Sequence, residues 1–248
     1  MLSATYIVVI LLAFLSGLTT LIGVALAFYF KRSVKGIVVG IGFSAGIMML
    51  ISFFELIPES VGAAGILKPL IAVFLGVILV GILNFIVPHT HLVEEKGHIH
   101  IRSLKAAYLV AFGLILHDFP EGFAMANSFI YSPSLGLLIA LAIAIHNIPE
   151  EFAMAVPLLL TERGKFLFKV AFLSGLAEPA GAVLGLIAVS FLPGLNPLFM
   201  AFAAGAMIFV SIHELLPMAC RYKRMSLFIL GVVLSVIVYM GLAMLIKV

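Results

Sequence analysis

Two short runs carry most of the chemistry in this 248-residue chain: His117-Asp118-Phe119-Pro120-Glu121-Gly122 and His146-Asn147-Ile148-Pro149-Glu150-Glu151. In a helix, His117 and Glu121 lie four apart, as do His146 and Glu150, so each pair shares a face. Asp118 and Glu121 lie three apart, as do Asn147 and Glu150, and fall on the same side. Two antiparallel helices of this kind, facing each other, bring imidazoles and carboxylates to one point. Neutral imidazole nitrogen and carboxylate oxygen suit Zn²⁺, Fe²⁺, Mn²⁺ and Co²⁺. The single cysteine, Cys220, excludes a disulfide framework and a thiolate cluster and argues against Cu(I). Glu178, followed by Pro179, adds another carboxylate. Pro120, Pro149 and Pro179 donate no backbone hydrogen bond, which frees the carbonyls of Leu116, Ile145 and Gly175 for an ion or its waters.

The elements that must position these groups follow from composition. The chain is 64% hydrophobic and 10% charged, against roughly 45–50% and about 25% in soluble domains. That excludes a soluble enzyme, a disordered chain and a nucleic-acid-binding module. Eight apolar stretches, roughly 4–30, 36–57, 67–88, 106–130, 134–160, 167–192, 196–219 and 225–247, approach or exceed the roughly 20 residues needed to cross a bilayer. They are continuous rather than alternating, which favours helices over a barrel. At about 1.5 Å per residue, His117 lies roughly 16 Å into the fourth stretch. Charges at that depth cost about 2.5–3.5 kcal/mol each on insertion scales and read as functional. A divalent cation would offset them.

Basic residues set the orientation. Lys31, Arg32 and Lys35 follow the first stretch; Lys96, Arg102 and Lys105 the third; Arg163, Lys165 and Lys169 the fifth; Arg221, Lys223 and Arg224 the seventh. The other side keeps only Lys68 and Lys247. The net charge of +3 is therefore a topological signal, with the odd-numbered loops in the cytoplasm and both termini outside.

Three segment pairs repeat. Ala13-Phe14-Leu15-Ser16-Gly17-Leu18 recurs as Ala171-Phe172-Leu173-Ser174-Gly175-Leu176; Phe43–Ser60 aligns without gaps to Phe202–Ala219, matching Glu55 with Glu214 and Pro58 with Pro217; His117–Ala126 aligns to His146–Ala155. Stretches 1, 2 and 4 thus pair with 6, 7 and 5. Each pair differs by an odd number of spans, so its partners run in opposite directions. The expected fold is an all-α polytopic membrane protein, eight transmembrane helices in a 3+2+3 inverted-repeat arrangement. It forms a single transporter domain over 1–248: repeat 1 about 1–88, a loop about 89–105, the site helices about 106–160 and repeat 2 about 167–248. Inverted repeats place transporter substrates near the midplane.

Secondary candidates are weaker. Glu55 and Glu59 near the outer end of the second stretch, and His213 and Glu214 near the inner end of the seventh, read as stations on a pathway or as helix-end snorkelling. Glu151, about 100° around the helix from Glu150, faces another helix or water. His89, His91, His98 and His100 suggest weak metal capture in a cytoplasmic loop. A proton-coupled carrier of a small organic solute would use the His and Glu cluster as a relay. A metalloenzyme is disfavoured by the lack of a His-Glu-x-x-His unit.

On these residues the chain resembles the ZIP (Zrt/Irt-like protein) family of divalent metal transporters, bacterial type. The two His-x-x-Pro-Glu runs look like the family's span 4 and span 5 motifs, and Glu178-Pro179 like its span 6 ligand. The resemblance implies one metal at His117, Glu121, His146 and Glu150. It implies a second at Asp118, Glu121, Asn147, Glu150 and Glu178, with Glu121 and Glu150 bridging. It also implies Zn²⁺, or Fe²⁺, Mn²⁺, Co²⁺ or Cd²⁺, as transported substrate rather than cofactor, with passage toward the cytoplasm by an elevator-like motion. The partners it implies are the metal ion, the lipid bilayer and, as a family expectation, a second copy of the chain in a homodimer. Asp118 replaces the family's usual Asn and Glu151 its usual Gly.

Overall fold

A computed structural model of the chain describes residues 4–30, 33–86, 104–159 and 164–247, with 86, 104–115, 157–159 and 164–167 described by backbone alone. Among the described residues all regular structure is helical. Eight helical runs follow in order: α1 (Ala4–Phe30), α2 (Val34–Ala64), α3 (Leu67–Ile86), α4 (Leu104–Tyr131), α5 (Pro133–Leu159), α6 (Gly164–Gly175 continued by Ala177–Phe191), α7 (Asn196–Val210 continued to Arg221) and α8 (Met225–Ile246). Seven contain segments long and apolar enough to span a bilayer. The other, α4, has 28 residues and carries Lys105, Asp118 and Glu121. The helices extend a few residues past several expected edges, as at Ala64 and Tyr131, because apolarity ends before backbone hydrogen bonding does.

Polar residues of the spans collect inside among apolar ones such as Ile47, Met125 and Met207, while many large apolar side chains face outward. Phe74, Ile78, Ile229 and Ile237 are exposed, as lipid contact requires, whereas α8 buries only the stripe Gly231, Ser235 and Tyr239, spaced four apart. Hydrocarbon gives apolar helices no solvent-driven reason to associate, so close packing over small residues must hold the bundle together. The most extensive contacts are α1 with α5, α2 with α8, α4 with α6 and α3 with α7; α2 also packs on α5, and α7 on α4. Where α1 crosses α6, Gly17 and Gly175 lie face to face: a Cβ on Gly17 would stand 2.0 Å from the Gly175 oxygen, and one on Gly175 2.3 Å from the Gly17 oxygen.

α2 and α7 each widen into a π-helical stretch, Ile51–Leu56 and Ser211–Leu215. The cause is local. Pro58 and Pro217 withhold the N–H that would close the preceding turn, and the backbone takes an i to i−5 bond instead, from Ile57 to Ser52 and from Leu216 to Ser211. The serine hydroxyls bind back to the carbonyls of Met48 (2.7 Å) and Met207 (2.9 Å). Met207, Ser211, Leu216 and Pro217 each lie 159 positions after Met48, Ser52, Ile57 and Pro58.

Candidate metal centre

α4 and α5 carry the two His-x-x-Pro-Glu runs through the middle of the bundle, and α6 packs beside α4 so closely that Gly122 meets the backbone of Glu178. His117, Asp118, Glu121, His146, Asn147, Glu150 and Glu178 are all 5% exposed or less, so none of these side chains faces lipid. The expected convergence of the two helices is present.

One group forms around His146. Its Nδ1–H donates to the carbonyl of Ala142 at 2.9 Å. A carbonyl can only accept, so in the neutral ring Nε2 carries a lone pair. That lone pair faces Glu121 Oε1 at 3.1 Å and Glu150 Oε2 at 3.8 Å. Two electron-rich atoms this close need something electropositive between them. Donor atoms of Glu121, His146 and Glu150 all lie within 4.8 Å of one another; bonds of about 2.0–2.2 Å to one tetrahedral zinc would draw them to about 3.3–3.6 Å. His117 Nε2 lies 3.7 Å from Glu150 Oε1, at the edge of this group. Glu121 Oε2 and Glu150 Oε2 are buried without a hydrogen-bond partner, leaving acceptor capacity that a cation could fill.

A second group adjoins it. Asn147 donates to Glu178, whose Oε2 is buried without a hydrogen bond, and Ser174 donates to the Asp118 carboxylate. Ser44 of α2 donates to the carbonyl of His146 at 3.0 Å, anchoring the backbone beneath the imidazole. Glu151 is buried where α5 approaches Gly23 of α1, and its electrostatic neighbours are Asp118, Glu150, Glu121 and Glu178.

The secondary candidates separate. Glu214, on the π-helical stretch of α7, joins the centre: its Oε2 lies 3.5 Å from His117 Nδ1, and Asn84 of α3 donates to its Oε1 at 3.2 Å. His213 turns outward, its ring 4.8 Å from that of Phe209. Glu55 is buried and accepts from the Tyr239 hydroxyl, while Glu59 is half-buried and interacts with Tyr131. His89, His91, His98 and His100 lie outside the described residues. Cys220 is exposed. Sequence reasoning missed Ser174, Ser44, Asn84 and Tyr239 as partners of this network. Ser174 was within reach, since it belongs to a repeated segment and stands four before Glu178. Asn84 is the one polar residue of α3 beyond Lys68. Ser44 had no comparable signal.

A sequence model described as ZIP zinc transporter matches residues 88–246. The chain is 36% identical to zinc transporter ZupT of Nitratidesulfovibrio vulgaris, over 90% of this chain and 92% of that one. It is 38% identical to zinc transporter ZupT of Chlorobaculum parvum, over 90% and 91%. It is also 38% identical to zinc transporter ZupT of Akkermansia muciniphila, over 94% and 95%.

Proposed function

The chain belongs to the ZIP zinc transporter family, and from that premise we propose that it takes up divalent transition-metal ions, zinc first, across the plasma membrane into the cytoplasm. The observation that carries the reading is the facing of His146 Nε2 and the Glu121 carboxylate at 3.1 Å, with Glu150 and His117 closing the group. Zn²⁺ fits this donor set best, and Fe²⁺, Mn²⁺, Co²⁺ and Cd²⁺ are the competitors to test. The site is binuclear: His117, Glu121, His146 and Glu150 take one ion, Asp118, Asn147 and Glu178 complete the second, and Glu121 and Glu150 bridge. The centre sits near the midplane. The basic loops are cytoplasmic and both termini outside. The relay for an organic solute loses ground because the relatives named above are zinc transporters.

The whole of 1–248 acts as one transporter domain, with inverted repeats at about 1–88 and 167–248, a loop at about 89–105 and the site helices at about 106–160 between them. Exchanging α1 with α6, α2 with α7, α3 with α8 and α4 with α5 maps each of the strongest helix contacts onto another one: α1–α5 onto α6–α4, and α2–α8 onto α7–α3. It maps Gly17 onto Gly175, each already resting on the other, and one π-helical stretch onto the other. Such a two-fold axis in the membrane plane suits alternating access, here by the elevator-like motion that the family resemblance implies.

The test is radioactive zinc uptake into proteoliposomes with competing cations. Glu121→Ala and Glu150→Ala should each abolish uptake while leaving the purified protein monodisperse. Near-normal flux in either variant would refute the bridging roles.

A further inference from the structure

The exchange that relates the two halves relates His117 to His146 and Glu214 to Glu55, yet the related groups have different partners. His117 turns Nδ1 to Glu214 at 3.5 Å. His146 turns Nδ1 to its own backbone at Ala142, and Glu55 is held by Tyr239 of α8 instead. Asn84 of α3, the helix that corresponds to α8, donates to one oxygen of Glu214, and the other oxygen faces His117 at the centre. Glu55 and Glu214 occupy matching places in the two π-helical stretches, where the backbone is already out of α-helical register. Single-turn widenings of this kind recur at functional sites. Between them runs an apolar cleft of about 340 Å³ lined by Met49, Leu50 and Phe53 of α2, Ser211 and Ile212 of α7, and Val232 of α8.

Resting on the inverted-repeat reading above, we infer that Glu55 is the counterpart of Glu214 for the opposite membrane face: when the centre opens to that face, Glu55 leaves Tyr239 and pairs with His146 Nδ1, while Glu214 leaves His117. In the state described here the centre is joined through His117 and Glu214 to the end of the bundle that carries Arg221. In the other state it is joined through His146 and Glu55 to the end that carries Gly65. Each glutamate positions the ring of one metal-site histidine on one side of the cycle only. Tyr239 holds Glu55 while that glutamate is disengaged, whereas Asn84 steadies Glu214 while it is engaged.

Zinc transport measured in both directions, in proteoliposomes of uniform orientation, separates this from a structural role. Glu55→Gln should raise KM about tenfold for zinc presented at the Gly65 end, the size of one lost charge-assisted hydrogen bond, and leave KM from the Arg221 end unchanged. Glu214→Gln should do the reverse, and Glu55→Asp should largely restore the first. An equal effect of Glu55→Gln in both directions, or none, overturns the inference. A second measurement needs no transport. In a Cys220→Ser chain, a short bifunctional thiol reagent should link Glu55→Cys to Tyr239→Cys, and in a second double variant Glu55→Cys to His146→Cys. If the first pair links and the second never does, with or without zinc, the exchange does not occur. If both link but the unaltered protein carries no zinc, the exchange stands and the transport reading fails.

Discussion

Gly122→Ala tests the metal centre without touching a single donor atom. Gly122 of α4 lies against the backbone of α6, and a Cβ there would stand 1.8 Å from the carbonyl oxygen of Glu178 and 2.6 Å from its carbonyl carbon. Ordinary contact begins at 3.4 Å, so α4 and α6 must part by about 1.6 Å at this level. Neither obstacle is a flexible side-chain end. The strain is of the overpacking kind, about 1–3 kcal/mol, which a bundle fastened at many other crossings can absorb. Coordination cannot absorb it, because ligand distances hold to about 0.2 Å. The displacement falls on Glu178 and its bond from Asn147, and leaves Glu121, His146 and Glu150, which sit on α4 and α5, close to where they were. Element-resolved analysis of the purified protein should therefore show zinc falling from two ions per chain to one, with slowed but measurable uptake. Gly62→Ala is the control, since a Cβ there meets nothing within 4 Å, and it should change neither quantity. Two ions per chain in Gly122→Ala, or the same loss in Gly62→Ala, would refute the assignment of Glu178 to the second ion.

Two further outcomes follow from the same geometry. Asp118→Asn keeps the shape of the side chain and an acceptor for the Ser174 hydroxyl, so it should retain uptake through the first ion; complete loss would make Asp118 indispensable. Zinc at about 100 times its Kd should stabilise the protein by about 2.7 kcal/mol, read as a rise in thermal midpoint of roughly 5–11 °C for a chain of this size. Glu150→Ala should erase that rise, and an undiminished rise would place the ion elsewhere.

The bundle and its centre were legible in the sequence for different reasons. Spans announce themselves because bilayer crossing demands long apolar runs, and residues 4–30 and 225–247 leave no other reading. The His-x-x-Pro-Glu runs were legible because helical spacing alone puts His146 and Glu150 on one face, and they lie 3.8 Å apart as that spacing requires. What sequence could not give was reach across helices. Glu214 looked like a helix-end residue, but the π-helical stretch turns its carboxylate toward His117, while neighbouring His213 turns out beside Phe209. One residue of register decides between those fates, and a π-helical widening is not visible as a period in an apolar span. Ser44 and Tyr239 were silent for the same reason. Their roles depend on which helix lies opposite, and periodicity reports a face without naming its neighbour.

On the inverted-repeat reading, the two-fold axis passes through the centre, and a site symmetric about that axis would meet both membrane faces alike. Direction must then come from the gradient or from places where the halves differ. Three of the differences lie at or beside the proposed ligands: Asp118 against Asn147, Gly122 against Glu151, Glu178 against Thr20. Thr20 donates to the carbonyls of Gly17 and Ala171 and so fastens α1 to α6, whereas Glu178 accepts from Asn147. One half has spent this position on packing, and the other on charge. On the binuclear proposal, the second ion is thus the product of a broken symmetry, while the first, built from the repeated His and Glu, keeps it. The first ion is accordingly the one whose path should reverse most readily when the gradient is reversed, and the second the one that gives the two faces unequal affinity.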